Sequence, residues 1–282
     1  MTAVVIGAEG QLGQDLVRAL GDRAVGLTHQ DLDVTDGVAV QQAIASRRPD
    51  WVINTAAFHR VDDCEVNPAL TFAVNAMGAL NVARASAAAG ARHVFFSTDY
   101  VYGGGNRGRN HPFSETDPPC PINVYGISKL AGEQLVLHAA PGALVIRSAG
   151  LYGTATSRKG WTFPELMLNL AQKQDVVRVV DDQVLSPTFT ADLARQVIEL
   201  MDGGADGLIH VANGGECSWY EFAKATFELT GTAVRLEPQS TAETRRRARR
   251  PPYSALGCGR LPAPLRHWRE ALADYLQQKR RR

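Results

Sequence analysis

The sequence has little of what marks secreted, membrane-spanning or nucleic-acid-binding proteins. Its four cysteines lie far apart and form no C-x-x-C or Cys/His cluster, so neither a disulfide framework nor a metal site is predicted. No apolar run reaches the roughly 18 residues of a membrane span, and the start lacks a basic segment followed by a long apolar one. A net charge of +1 offers no general attraction to nucleic acid or anionic membranes. We therefore expect a cytoplasmic protein with no nucleic acid and no membrane as partner.

What the sequence does contain is an alternation of short apolar runs with helical patterns. The runs that begin at Ala3, Asp50, His93 and Ala143 are typical of buried parallel strands. Apolar residues recur at helical spacing between them, and the pattern over residues 67–90 predicts one long helix. Such alternation predicts an α/β fold, a Rossmann-type doubly wound parallel sheet.

The pattern changes near residue 150, after which loops take up more of the chain. We predict a dinucleotide-binding Rossmann domain over residues 1–150. Residues 151–282 are predicted to form mainly a smaller, C-terminal substrate-binding lobe that is interleaved with the end of the sheet.

A glycine-rich loop, "GAEGQLG", follows the first strand directly and opens the first helix. Gly7 permits a tight turn, Gly10 lets the backbone approach a pyrophosphate, and Gly13 allows close packing of helix on sheet. The alternative is that the glycines only tighten a strand-to-helix corner. The position of the loop favours dinucleotide binding. After the second strand, "GLTHQDLDV" offers neither an acid nor a base at the expected place, so NADH and NADPH both stay open.

Tyr125 and Lys129 are four residues apart and share a face of any helix that contains them. We expect the Lys129 ammonium to lower the pKa of the Tyr125 phenol, which would then donate a proton to an alkoxide formed from a ketone. A third polar group should bind the substrate oxygen. Ser97, Thr98 and Asp99 stand at the end of a buried strand, and among them we favour Thr98.

Eight motifs in order along the chain make it resemble the dTDP-4-dehydrorhamnose reductases, a family of extended short-chain dehydrogenase/reductases. They are "GAEGQLG", "LDVTD", "NTAAFHRVDDCE", "VNAMGALNVA", "STDYVYGG", "NVYGISKLAGE", "SPTFTADLA" and "HVANGGECSWYEFA". The resemblance implies Tyr125 as general acid, Lys129 as its electrostatic partner and ribose ligand, and Thr98 as the hydroxyl on the substrate carbonyl. With the glycine loop, the expected cofactor-binding residues are Gly7, Gly10, Gln11, Leu12, Gly13, Asp33, Val34, Ala56, Ala57, Phe58, Tyr125 and Lys129.

The resemblance also implies a reaction, reduction of the 4-keto group of dTDP-4-dehydro-L-rhamnose to dTDP-L-rhamnose. The cofactor would be NADPH or NADH, and the partner a dTDP-sugar. Relatives often form dimers, some of them with Mg²⁺. We therefore consider a homodimer, and we assign Mg²⁺ no ligands.

The chain departs from the family pattern after the strand that follows the catalytic helix. Relatives carry a tryptophan that lines the sugar pocket where this chain has Gly150, which together with Thr98 and Asp99 is expected to contact substrate. A residue such as Trp161 could fill the gap. The change keeps open another nucleotide-sugar reductase or an epimerase, and a third hypothesis is a non-catalytic regulatory subunit such as the methionine adenosyltransferase β subunit. Asn75 is either a site residue or a structural one.

Overall fold

The computed structural model describes residues 1–105, 108–155 and 160–281. Strands are short, as expected for an α/β protein with many crossovers. In chain order they are β1 (Ala3–Ile6), β2 (Ala24–Leu27), β3 (Trp51–Asn54), β4 (Arg92–Thr98), β5 (Leu144–Ser148), β6 (Leu151–Tyr152), β7 (Val176–Val180), β8 (Val184–Leu185), β9 (Thr188–Phe189), β10 (Gly207–His210), β11 (Cys217–Ser218) and β12 (Arg235–Gln239).

Helices connect most of these strands, so parallel neighbours can be joined by crossovers. They are α1 (Gln11–Leu20), α2 (Gly37–Arg47), α3 (Val61–Val66), α4 (Pro68–Phe72), α5 (Ala79–Ala88), α6 (Val124–Ala139), α7 (Phe163–Ala171), α8 (Thr190–Asp202), α9 (Trp219–Thr230) and α10 (Trp268–Arg280). Single 3₁₀ turns occur at Gly21–Arg23, Asp99–Val101 and Thr241–Glu243.

The main sheet has six parallel strands in the order β10-β5-β4-β3-β1-β2. The chain runs outward from β1 to β2 on one side and through β3, β4 and β5 on the other. The order therefore reverses between β1 and β3, and ligands of open α/β sheets bind outside the carboxyl ends of the strands at such a point. The predicted α/β fold class is confirmed.

Helices cover both faces of the sheet, and the central strands are therefore buried on both sides. Helices α1 and α8 pack on one face, where Leu16 and Val197 are fully buried. Helices α2, α5 and α6 cover the other, where Ile44 and Val136 are fully buried. Each such side chain contributes about 1.5–3 kcal/mol by leaving water, and together they hold the strand ends in register.

The prediction of one continuous α-helix over residues 67–90 is wrong in the middle of that range. Helix α4 runs through a π-helical turn at Ala73–Gly78 before α5 begins. The cause is tertiary, because the Asn75 side chain inside this turn is fully buried and bonded to two other segments. Helical periodicity cannot report such contacts.

After residue 150 the chain builds a second core beside the sheet and also returns to it. The pair β6/β9 and helices α9 and α10 enclose an aromatic cluster of Tyr152, Phe189, Phe222, Trp268 and Tyr275. The pair β7/β12 packs instead against α7 and α9, and β8 pairs with β11. Strand β10 nevertheless pairs with β5 in the main sheet, and α8 packs on α1. The chain after residue 150 thus contributes to both cores.

Candidate active site

One cleft of about 810 Å³ opens at the carboxyl ends of the main strands. Its lining includes the end of β4, the glycine loop and one face of α6. The structure brings together in it all the residues that the sequence predicted for cofactor and substrate: Gly7, Gly10, Gln11, Leu12, Gly13, Asp33, Val34, Ala56, Ala57, Phe58, Thr98, Asp99, Tyr125, Lys129 and Gly150.

The glycine loop has the shape needed for an anion to approach the backbone. Gly7 has φ +80°, and a Cβ there would lie 2.7 Å from Thr55 Oγ1. A Cβ on Gly13 would overlap the Gly7 carbonyl oxygen, so the first turn of α1 sits directly on the loop. Gly10 precedes α1 without a side-chain cap, and no acidic residue lies in the first turn. The first backbone N–H groups of α1 therefore suit a pyrophosphate, and the residues present fit a dinucleotide.

Asn75 joins the segment after β3 to the helix that carries Tyr125. Its Oδ1 accepts from Phe58 N–H (2.8 Å), and its Nδ2 donates to the Phe58 carbonyl (3.0 Å) and to Ser128 Oγ (3.0 Å). Ser128 Oγ in turn donates to the Tyr125 carbonyl at 2.7 Å. Asn75 is fully buried and is not among the residues that line the cleft, so the geometry favours the structural interpretation, in which Asn75 fixes the segment after β3 relative to α6.

The buried Thr98 and Asp99 meet the partly buried Tyr125 at the end of β4. Thr98 Oγ1 donates to Asp99 Oδ1 and accepts from Tyr100 N–H, both at 3.1 Å, and it shares a hydrogen bond with the Tyr125 hydroxyl. Ser254 Oγ donates to the other Asp99 oxygen at 2.5 Å. Burial raises the pKa of Asp99 to about 6. The hydroxyl groups of Thr98 and Tyr125 line the cleft and can hydrogen-bond a carbonyl oxygen placed there.

The expected pKa of Tyr125 is wrong for this structure. Burial raises the pKa of the phenol well above its usual value, and the Asp99 charge raises it further, while the bond with Thr98 acts the other way. Lys129 is itself deeply buried, with Nζ 4.0 Å from the centre of the Phe95 ring, and burial lowers its pKa to about 7. A phenol with a raised pKa is protonated at neutral pH, and it holds its proton more tightly than a free tyrosine does.

Glu133, one helical turn after Lys129, supplies the charge that opposes the drop in the Lys129 pKa. Its carboxylate accepts from Arg147 Nε at 2.8 Å, Arg147 Nη2 at 2.6 Å and Ser97 Oγ at 2.5 Å. Both members of the ion pair are almost fully buried. The pair therefore ties α6 to the ends of β4 and β5 beside the cleft.

The gap expected at Gly150 is filled, but not by Trp161. A Cβ on Gly150 would lie 2.6 Å from Leu185 Cδ1 and 3.2 Å from Pro187 Cα, and the residue has φ +53°. Leu185 thus occupies the space beside Gly150. Trp161 lines the same cleft with 54% of its surface exposed. The lining of the cleft also includes the aromatic side chains of Phe163 and Trp219.

Three contributors to the site escaped the sequence patterns. Glu133 was detectable as a carboxylate four residues after Lys129, a spacing that brings side chains together on a helix. Ser254 and Leu185 reach the site from 155 and 35 residues along the chain from the partners they touch, and no local pattern could have found them.

Within residues 1–105, 108–155 and 160–281, no helix combines the length and the apolar character needed to cross a bilayer. The same stretches contain no group of three or more His, Cys, Asp and Glu side chains placed to hold a metal ion.

A parallel sheet with a glycine turn at its switch point, and a tyrosine-lysine pair facing that turn across one cleft, define a reductase of the short-chain dehydrogenase class. Comparison with known proteins narrows this class. The profile described as "RmlD substrate binding domain" matches residues 1–281, and the chain belongs to this family.

Two relatives and one solved structure illustrate the match. The dTDP-4-dehydrorhamnose reductase of Mycobacterium tuberculosis is 44% identical over 283 residues, 97% of this chain and 91% of the relative. A dTDP-4-keto-6-deoxy-D-glucose reductase of Streptomyces niveus is 38% identical over 280 residues, 96% and 95% of the two chains. The structure of dTDP-4-dehydrorhamnose reductase from Bacillus anthracis in complex with NADP superposes with a TM-score of 0.92, at 36% identity, over 99% of this chain and 100% of that one.

Proposed function

We propose that this protein reduces the 4-keto group of dTDP-4-dehydro-L-rhamnose to give dTDP-L-rhamnose, using NADH or NADPH. The observation that carries the proposal is the meeting of Thr98, Tyr125 and Lys129 with the glycine loop in one cleft. The relatives named for this reaction support the choice of substrate, because they align over nearly the whole chain.

In the proposed reaction, the backbone N–H groups of Gln11 and Leu12 at the start of α1 would hold the pyrophosphate of the dinucleotide, and Gly10 would let it approach the loop. When bound, a reduced nicotinamide supplies the hydride. Tyr125 donates its phenolic proton to the carbonyl oxygen of the sugar, so that hydride and proton together convert C=O to CH–OH. Thr98 hydrogen-bonds the same oxygen and orients it.

Lys129 has two tasks in this scheme. Its ammonium stabilises the phenolate that Tyr125 becomes after giving up its proton, and it binds the ribose hydroxyls of the dinucleotide. Both tasks need the charged form of the lysine. The ionised Glu133 carboxylate supports that form in an apolar environment.

We also propose the division of labour expected from the sequence, with residues 1–150 holding the dinucleotide and residues 151–282 mainly holding the sugar nucleotide. A cytoplasmic homodimer is part of the proposal. Large exposed apolar side chains on neighbouring helical segments, Val66, Met77 and Ile127, support the dimer. Analytical ultracentrifugation of the purified protein tests it.

A second candidate substrate is dTDP-4-dehydro-6-deoxy-D-glucose. The Streptomyces niveus relative is named for that reduction, and this chain has Gly150 packed against Leu185 where relatives carry a tryptophan. The test is kcat/KM for both ketosugars under identical conditions. We expect the rhamnose precursor to be preferred, and preference for the glucose derivative would replace the first assignment. Dinucleotide binding without turnover of either sugar would favour the regulatory-subunit hypothesis.

A further inference from the structure

A chain of hydrogen bonds leads from the Tyr125 hydroxyl to the buried Asp99 carboxyl group. The Tyr125 hydroxyl shares a hydrogen bond with Thr98 Oγ1, and Thr98 Oγ1 donates to Asp99 Oδ1 at 3.1 Å. The other carboxylate oxygen, Oδ2, accepts from Ser254 Oγ at 2.5 Å. One hydroxyl group, that of Thr98, therefore separates the proposed proton donor from a carboxyl group that can itself carry a proton.

The Thr98 hydroxyl has one proton to donate and two lone pairs that accept. One lone pair accepts from Tyr100 N–H at 3.1 Å. When Asp99 is ionised, the Thr98 proton is directed at Oδ1 and is not available to a ligand. When Asp99 is protonated, the carboxyl group can donate to the second lone pair, and the Thr98 proton can then point to Tyr125 or to a carbonyl oxygen in the cleft. Binding of the substrate oxygen by Thr98 thus favours a protonated Asp99.

The surroundings of Asp99 allow its carboxyl group to take up a proton near neutral pH. Burial raises its pKa to about 6, and the bonds from Ser254 and Thr98 act the other way. Arg250 is paired with Asp62 at 3.0 Å, so its charge is largely neutralised. The titratable and charged groups near Asp99 and its two phenol neighbours are Tyr100, Tyr125, Lys129, Asp62, Cys64, Arg246 and Arg250.

The proposed reduction takes one proton from Tyr125 in every turnover. The pKa of the phenol is raised well above its usual value, so the phenolate that is left binds a proton strongly. A protonated carboxyl group with a much lower pKa loses its proton to such a phenolate in a favourable reaction, because the proton moves to the group of higher pKa. Asp99 is thus suited to supply this proton.

We propose that Asp99 returns a proton to Tyr125 after each reduction, acting through the Thr98 hydroxyl. The Asp99 O–H bond breaks as Thr98 Oγ1 takes that proton, and the Thr98 O–H bond breaks as the phenolate takes the other. Asp99 is left as a carboxylate, and because it lines the cleft, water admitted between turnovers can reprotonate it. The inference rests on the proposed function, because it concerns the proton that this reaction consumes.

Rapid mixing of the full-length protein with NADPH and dTDP-4-dehydro-L-rhamnose, followed by nicotinamide absorbance at pH 7, tests the relay. Asp99→Asn keeps the size of the side chain and an oxygen for Thr98, but it has no acidic proton. In this variant we expect a burst of about one nicotinamide oxidised per site, and then turnover at least about tenfold slower than in the unmodified protein. Nicotinamide fluorescence on dinucleotide binding checks that the variant is folded.

Ser254→Ala is the matched second variant, because it removes a hydrogen bond from the same carboxyl group and keeps the acid. Loss of this bond should raise the pKa of Asp99, since the bond lowers it. The relay needs protonated Asp99, so kcat is lost as pH rises through that pKa. In Ser254→Ala we therefore expect the decline in kcat to move to higher pH, without a burst at pH 7.

The outcomes separate the relay from a merely structural role and from the proposed function. Equal slowing of the first and later turnovers in Asp99→Asn would mean that Asp99 only holds Thr98 in place, and would overturn the relay. Turnover at the unmodified rate would overturn it as well, because another group would then return the proton. A pH profile in Ser254→Ala that stays in place or moves to lower pH would also overturn it. Each of these results leaves the reductase proposal standing, whereas no reduction by the unmodified protein would overturn both.

Discussion

Replacing Glu133 by glutamine is expected to destabilise the protein and to move its activity to lower pH. The variant keeps the shape of the side chain and removes its charge, leaving the Arg147 guanidinium buried without a counter-ion. Removal of one partner from a buried ion pair costs about 3–5 kcal/mol. For a protein of this length, each kcal/mol lowers the melting temperature by about 2–4 °C. We therefore expect a drop of roughly 6 to 20 °C.

The effect on activity follows from the buried lysine. The pKa of Lys129 is lowered to about 7 by burial, and the Glu133 charge is the contribution that raises it. Without that charge the pKa falls further, and the fraction of protonated Lys129 at pH 7 falls with it. If catalysis needs the ammonium, the decline in kcat with rising pH should begin at a lower pH in the variant.

The assays are urea unfolding and a profile of kcat between about pH 5.5 and 8.5. Ser97→Ala is the control, because it removes one donor to the same carboxylate and keeps the charge. It should cost about 0.5–1.5 kcal/mol and leave the pH profile in place. An unfolding midpoint and a pH profile that are both unchanged in Glu133→Gln would refute the reasoning.

Three further predictions concern the cleft. Tyr125→Phe should lower kcat by at least about a hundredfold and leave nicotinamide binding intact, since it removes only the proton donor; turnover at the normal rate would exclude Tyr125 from that role. The folded-state pKa of Asp99, about 6 against an ordinary 3.8, predicts that stability is lost as pH rises from about 4 to 6.5, by up to about 3 kcal/mol. Urea unfolding of Asp99→Asn across that range should lack this loss, and an equal loss in the variant would contradict the assignment. Gly150→Trp should destabilise by more than about 1 kcal/mol, because φ is +53° and Leu185 fills the space; adding Leu185→Ala should recover part of it, and strict additivity in thermal unfolding would contradict the clash.

The sequence predicted the sheet and the cleft well because both rest on local patterns at fixed positions. Buried parallel strands are continuous apolar runs, and the ends of such strands meet at one edge, so Gly10 and Thr98 could be placed near each other. The order of the strands and the π-helical turn at Ala73–Gly78 depend on tertiary contacts. The pKa of Tyr125 was misjudged for the same reason, since burial and the Asp99 charge raise it.

The packing around Gly150 is a second feature that the sequence alone does not predict. The loss of a large side chain is visible in the printed chain, but the residue that takes its place lies 35 positions further on. Backbone conformation contributes as well, because φ +53° at this position favours glycine whatever the neighbours are. The packing around Gly150 is therefore a detail that only the folded structure reveals.

The stoichiometry of the reaction on dTDP-4-dehydro-L-rhamnose decides whether this protein is the proposed reductase. Oxidation of the nicotinamide is followed by absorbance, and the nucleotide sugar formed is identified and quantified by NMR. We expect one dTDP-L-rhamnose for each nicotinamide oxidised. A protein that binds dinucleotide and consumes none with this sugar, or that yields a different sugar, would contradict it.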